Sequence, residues 1–356
     1  MKILLLGYIF GHGGIQKHTH YLAKGLGERG HDIVVVSPDK IFPEDKLELE
    51  PSSYKLKVYR TAVDVLRGFG IKECDVAVTA GVGWRAMIGM LRLPRNCIRV
   101  FFEVMSGHRT RPMDPRILVN YGFNSVVAQA EPVRINFCDS FSWRGPSTSI
   151  PALPEPLEVV CTVPNWVQKS KKHDNGIRMV YFGRLAAHKN IAYLIARWRE
   201  FAPEGSTFDI WGIGPQAAEL SSLISDQSLG NSITLKGPYP SGYSYVELLQ
   251  KYDLELLPTI GDEGAPLVLL EAMACGLPFV ANGVGGIQGY NNPECRITNG
   301  DISEFIPMVN EMMERIRSGK ANNLALQNYY KENFSYESLL NRWEFYLSSL
   351  VDRPSM

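Results

Sequence analysis

Glu263-Gly-Ala-Pro-Leu-Val-Leu-Leu-Glu271-Ala-Met-Ala-Cys-Gly276 is the stretch from which the rest of the chain is read. Pro266 suits the first position of a helix, where a missing N–H costs nothing. Gly276 suits the left-handed position just past a helix end. The pattern therefore predicts a helix over 265–275 that opens beside Glu263. At ~100° per residue, the spacing of the two acids leaves Glu271 about 80° from Glu263 in projection. Both can then face one ligand lying against the helix start. The N–H groups of Gly264, Ala265 and Leu267, with the helix dipole, favour a phosphate there. Carboxylates are poor partners for phosphate but good ones for hydroxyls. An acid on each side therefore suits two sugars flanking a phosphate, the outline of a nucleotide-sugar site.

The 356 residues suit two domains of ordinary size. A hydrophobic content of 45% supports substantial cores, and 21% charge is ordinary for a globular chain. Acidic and basic residues balance at 37 each, so no global field calls for nucleic acid. Locally, arginines 85, 92, 95, 99, 109, 111 and 116 face only Glu103 and Asp114. Trp84, Met87, Ile88 and Leu91 recur there at helical spacing. Three readings stay open for this stretch: a membrane face, contact with an anionic acceptor, or a solvated basic helix. The cysteines at 74, 97, 138, 161, 275 and 295 form no Cys-x-x-Cys pair and no zinc spacing with His. They read as buried thiols of a reducing cytosol. Lys2–Gly7 is too short for a signal segment, and no apolar run approaches the ~20 residues of a membrane span. The expectation is a cytoplasmic protein, at most peripheral on the cytoplasmic face of an anionic membrane. Oligomeric state is not written in the sequence.

Ile3–Leu6, a loop at 7–14, a helix from Ile15 to Glu28 and a run at Ile33–Val36 spell strand, glycine loop, helix, strand. Asp75–Thr79, Arg99–Val104 and Ser125–Ala128 read as further parallel strands. Pro164–Asn175 is polar, basic and proline-bearing, as a linker would be. Ile177–Phe182, Phe208–Trp211, Ile233–Leu235, Leu254–Leu257 and Phe279–Ala281 read as strands of a second α/β domain, with a helix near 243–251. Residues 335–350 predict a closing helix with Ser335 as cap. Its apolar face comprises Leu339, Leu340, Trp343, Phe345, Tyr346, Leu347 and Leu350. The expected domains are 1–165, 176–334 and a helical segment 335–356.

After the first strand of the second domain comes Gly183-Arg184-Leu-Ala-Ala-His-Lys189-Asn190. A strand end there faces the ligand crevice of an open α/β sheet. Arg184 supplies a planar fork for phosphate oxygens and Lys189 a compact charge. Two such cations can stabilise a leaving diphosphate without a metal.

Together with the Glu263–Gly276 segment, these residues resemble the retaining glycosyltransferases of family 4, which have the GT-B fold. The resemblance implies two Rossmann-like doubly wound domains with a cleft between them and a C-terminal helix crossing back to the first. Packing of that helix on the second domain alone is the alternative. By the resemblance, Glu263 holds the transferred sugar and Glu271 the ribose. Gly264, Ala265, Pro266 and Leu267 frame the distal phosphate, and Arg184 and Lys189 bind the diphosphate. Trp211-Gly212-Ile-Gly-Pro215 is similar to the family's Gly-x-Gly-Pro turn, and Leu235-Lys-Gly237-Pro238 to the segment framing the base. Gly13-Gly14-Ile15-Gln16 resembles the glycine loop that closes on the diphosphate. A dinucleotide fingerprint competes for that loop, but Gly-x-Gly-x-x-Gly is absent and Ser37-Pro38 ends the second strand without an acid. His108 stands where the family places a histidine near the anomeric carbon, and Glu103 is the alternative. His12, His18 and His20 have no partner acids at metal spacing and read as non-metal. His188 stands where an acid commonly precedes the lysine.

The implied activity is transfer of a sugar from a nucleotide-sugar, UDP favoured over GDP, to a carbohydrate or lipid-linked acceptor, without cofactor or metal. A bacterial surface polysaccharide or a lipid-linked oligosaccharide is the expected product. Natural-product glycosylation, a sugar phosphorylase and a non-catalytic binding subunit are the alternatives.

Overall fold

The computed structural model describes residues 1–11, 13–39, 51–80, 83–160, 176–261 and 263–352. It divides into two compact units, one of Met1–Glu155 with Tyr336–Met356, the other of Pro156–Ser335. The division falls at Glu155 rather than at 165. The expected linker at 164–175 lies outside the described residues, as do His12 and Cys161.

The first unit is built on β1 (Lys2–Leu6), β2 (Asp32–Pro38), β3 (Lys55–Tyr59), β4 (Val76–Thr79), β5 (Ile98–Glu103), β6 (Ser125–Ala128) and β7 (Ser147–Ser149). All pair in parallel, in the order β3-β2-β1-β4-β5-β6-β7. Leu4 sits opposite both Val34 and Ala77, so the central strands meet apolar neighbours on each side. Helices cover both faces of such a sheet, and its inner strands read as continuous apolar runs for that reason. The glycine loop leads into the helix Gly14–Glu28. Gly30, at φ +88°, turns the chain back toward β2.

The helix Tyr336–Val351 packs within this same unit. Trp343 is fully buried, and its indole N–H donates to the Pro151 carbonyl at 3.2 Å. Tyr336 donates to the Tyr21 carbonyl at 3.0 Å. Arg29 and His31 reach Glu344 at 2.6 and 2.7 Å. Phe345 departs from the expected apolar face. It is exposed, because its position lies opposite the stripe of Leu340, Trp343 and Leu347.

Cys74 and Cys97 were expected as thiols and are instead joined by a disulfide, with Cα atoms 5.4 Å apart. They precede the neighbouring strands β4 and β5, which brings together two residues whose separation in sequence gives no signal. Cys138, Cys275 and Cys295 are in no disulfide.

The second unit carries β8 (Arg178–Phe182), β9 (Thr207–Trp211), β10 (Ile233–Gly237), β11 (Leu254–Leu257), β12 (Phe279–Ala281) and β13 (Arg296–Ile297). The order is β10-β9-β8-β11-β12-β13, all parallel. The chain runs outward from β8 one way and from β11 the other, so the topological switch point lies between them. Ligands of open α/β sheets bind beyond the carboxyl ends of strands at such a point. Among the described residues no helix is long and apolar enough to cross a membrane.

Candidate functional site

Three loops leave the carboxyl ends of β8, β9 and β11 and lock onto one another. The Gly183 N–H donates to the Trp211 carbonyl at 3.0 Å, and the Gly212 N–H to the Gly237 carbonyl at 2.7 Å. Gly212, at φ +142°, lies so near the Gly183 carbonyl that any Cβ there would overlap it. Leu185 and Ile213 are joined at 2.9 Å, and Ile260 N–H reaches the His188 carbonyl at 2.9 Å. Gly183, Arg184 and Lys189 thus stand beside the switch point, and Gly212 and Gly237 follow at the carboxyl ends of β9 and β10.

Lys189 and Glu263 form an ion pair there, both largely shielded from water. Arg184 is exposed, and its carbonyl accepts the Tyr181 hydroxyl at 3.0 Å. Gly264 and Ala265 are buried and lead into the helix Leu267–Ala274. Here the expectation shifts. Pro266 takes the cap position with extended dihedrals (φ −67°, ψ 128°) rather than the first helical position. Glu263 therefore stands outside the helix, and its angle to Glu271 is set by a turn rather than by helical projection. Gly276 does occupy the left-handed position, at φ +68°, and Leu277 N–H closes the end on Ala272 at 2.9 Å. Glu271, in the helix's second turn, is almost wholly buried.

In the first unit, Gly13 and Gly14 open the helix Gly14–Glu28, where Lys17 N–H bonds the Gly13 carbonyl at 3.1 Å. The Gln16 side chain pins this loop to the Phe10 carbonyl at 3.2 Å. His108 is exposed on the loop after β5. Its carbonyl accepts from Arg116 at 2.7 Å, and Asn136 holds the Ser106 carbonyl at 3.0 Å. Glu103, the alternative to His108, is fully buried. It pairs with Arg116 at 2.9 Å and accepts the Met105 N–H at 2.8 Å, so it braces the loop from within. Arg116 also pairs with Asp114 at 2.7 Å, and Arg99 donates to the carbonyls of Met90, Leu93 and Pro94. Two of the seven arginines in the basic stretch are therefore internal cross-links, and Met87 faces the core.

His18 is buried against Phe102 and Trp343, with Nδ1 accepting the Leu153 N–H at 3.0 Å. Burial pushes its imidazole down to about 3. His20 is lowered to about 4, by burial first and Lys24 second.

Residues 176–315, within the second unit, match the family model described as "Glycosyl transferases group 1". The crystal structure of Anabaena Alr3699/HepE in complex with UDP-glucose superimposes with a TM-score of 0.80 at 20% identity, covering 98% of this chain and 100% of that one. The chain has the GT-B fold. The amylovoran biosynthesis glycosyltransferase AmsK of Erwinia amylovora is 34% identical over 118 residues, 31% of this chain and 29% of that protein. The GtfA subunit of the UDP-N-acetylglucosamine–peptide N-acetylglucosaminyltransferase of Streptococcus parasanguinis is 28% identical over 189 residues, 49% of this chain and 36% of that protein. The chain thus spans about a third of the length of these two relatives.

Two features of the GT-B second unit lay outside the sequence reading. Gly283-Val284-Gly285-Gly286, after β12, clamps the start of the Glu263 turn. Gly286 N–H bonds the Gly264 carbonyl at 2.7 Å, and a Cβ on Gly285 (φ +56°) would overlap the Glu263 carbonyl. The doubled glycine after a strand was its signal. The other is Glu255, midway along β11 and fully buried, with neither carboxyl oxygen hydrogen-bonded. Burial first, and Glu271 second, hold its carboxyl well above the usual carboxylate range.

Proposed function

We propose that this protein transfers a sugar from a nucleoside-diphosphate sugar, UDP-linked in the first instance, to an acceptor hydroxyl with retention of configuration. The observation that carries the reading is the interlocked loop set at the β8/β11 switch point, where Lys189 and Glu263 pair beside a helix start. In this reading Arg184 and Lys189 bind the diphosphate, and amides at the helix start face its distal phosphate. Glu271 takes the ribose hydroxyls. An arriving diphosphate competes with Glu263 for the Lys189 ammonium, and the displaced carboxylate then accepts hydroxyls of the transferred sugar.

The bond between anomeric carbon and distal phosphate oxygen breaks as the acceptor oxygen bonds on the same face. The acceptor proton passes to the leaving phosphate oxygen. The two cations stabilise the charge that develops there, and no resident metal is invoked. His108 is assigned to the acceptor side of the reaction.

The match over 176–315 supports the transferase class. The UDP-glucose complex of HepE and the UDP-linked donor named for the streptococcal enzyme support a UDP-sugar. The amylovoran biosynthesis enzyme supports a polysaccharide product; a lipid-linked acceptor and assembly on the cytoplasmic side are part of the proposal. The exposed arginines 92, 95, 109 and 111 are assigned to any contact with an anionic membrane.

Calorimetric titration with UDP, GDP, ADP and dTDP tests the reading. UDP should bind selectively to the wild type and weaken at least roughly tenfold in Glu271→Ala. Equal binding of all four, or undiminished binding in the variant, would contradict it.

A further inference from the structure

A cavity of about 440 Å³ opens in the first unit where the chain leaves β1, β2 and β3 and enters the helix Trp84–Leu91. Its volume falls in the ~300–1,000 Å³ range of small-molecule sites. We propose that this cavity receives a sugar carrying one negative group, a carboxylate or a phosphate, as part of the acceptor. The proposal rests on the transferase reading only in naming that sugar an acceptor.

The lining is unlike a structural void. Trp84 borders it with 39% of its surface exposed, although the apolar residues that follow it on the same helix are packed. An indole face held open beside polar groups offers a platform for the C–H face of a pyranose. Arg85, its neighbour, is exposed, and no carboxylate among the described residues pairs with it. Arg60 borders the cavity too, and pairs with Asp39 at 2.9 Å. Among the described residues that line the cavity, two guanidinium groups meet one carboxylate, an excess of positive charge that suits an anionic group. Tyr59 lies at the cavity with its hydroxyl held protonated. Burial, then Tyr8, pushes its phenol up to about 12. Its O–H is a donor for a sugar oxygen at any physiological pH.

Gly83 borders the cavity and can take a side chain without straining the chain. Its dihedrals are ordinary extended ones (φ −81°, ψ 151°), and a Cβ there would meet nothing within 4 Å. Gly83→Leu therefore projects a side chain into open space beside Trp84.

The test uses the full chain without donor, titrated with D-glucuronate, glucose 6-phosphate, D-glucose and inorganic phosphate by saturation-transfer NMR. Glucuronate, glucose 6-phosphate or both should bind at least roughly tenfold tighter than glucose and than phosphate alone. Arg85→Ala should reduce that binding about tenfold or more, and Gly83→Leu should abolish it, with thermal unfolding unchanged in both. Preference for glucuronate would identify a uronic acid, and preference for glucose 6-phosphate a sugar phosphate. Glucose binding as tightly as either would overturn the anionic assignment. Inorganic phosphate binding as tightly would overturn the sugar. Undiminished binding in Arg85→Ala or Gly83→Leu would overturn the location. UDP titrated into the same samples reads the donor site separately. A wild type that fails to bind UDP removes the transferase reading, whereas one that binds UDP but neither anionic sugar removes this inference alone.

Discussion

Glu255 is a carboxyl group placed where water does not reach, beside a second carboxylate that the proposed reaction uses. Folded, it keeps its proton well above the ordinary value of 4.5; unfolded, it ionises near that value. Between the two the folded state binds more protons. Stability is then complete below about 4.5 and falls as pH rises, by up to ~1.4 kcal/mol per unit. Glu255→Leu removes the buried oxygens and keeps most of the volume. It should raise stability at pH 8 by about 1–3 kcal/mol and by less at pH 5, read from urea midpoints. Identical gains at both pH values would show that Glu255 does not hold its proton.

The Lys189–Glu263 pair makes a second prediction at this scale. Removing the carboxylate relieves its competition for the lysine, so Glu263→Ala should bind UDP at least as tightly as the wild type while transfer is lost. Lys189→Ala should weaken UDP binding far more than uridine binding. If Glu263→Ala weakened UDP as much as Lys189→Ala does, the competition would not exist.

At the scale of elements, the site is a set of backbones pressed close enough that glycine alone fits between them. Gly285→Ala would put a Cβ into the Glu263 carbonyl and also force alanine to φ +56°. A displacement of about 1 Å at a reacting group costs roughly a hundredfold in rate. That loss is expected in kcat, with Gly230→Ala as control, since a Cβ at Gly230 meets nothing within 4 Å. Equal rates for the two variants would remove the 283–286 clamp from the mechanism.

The same elements show what a sequence displays and what it hides. The inner strands, such as Ile3–Leu6 and Leu254–Leu257, are apolar on both faces and stand out from one reading. The unread strands, Lys55–Tyr59, Ser147–Ser149 and Arg296–Ile297, are sheet edges or nearly so, short or alternating, with little apolar signal of their own. They are strands because a neighbour already is one. The motifs assigned to the donor were legible because glycines and charges sit at fixed places after strands. The Glu103–Arg116 brace was not, since nothing in Arg116 marks it as the buried arginine among seven. The Cys74–Cys97 bond is hidden for the same reason, because proximity across β4 and β5 has no local pattern.

For the whole molecule, the two units carry buried groups that respond oppositely to pH. His18 in the first unit titrates near 3 folded and near 6.5 unfolded. Between those values the unfolded chain binds more protons, so stability is complete above about 6.5 and falls as pH drops toward 3. Glu255 in the second unit weakens its unit in the other direction. Hydrogen exchange should therefore show the first unit losing protection relative to the second at pH 5, and the ratio shifting the other way at pH 8.5. A ratio that does not move with pH would contradict both assignments.

The helix Tyr336–Val351 completes the first unit, yet the whole of the second unit precedes it along the chain. A ribosome therefore delivers the first sheet before the second unit and its covering helix after it. Until Trp343 emerges, the surface around His18 and Phe102 that it covers stays wet, while the second unit already has all of its own residues. The later-made unit is the one free to finish first, and the earlier-made one must be kept from premature association for the time it takes to translate the other.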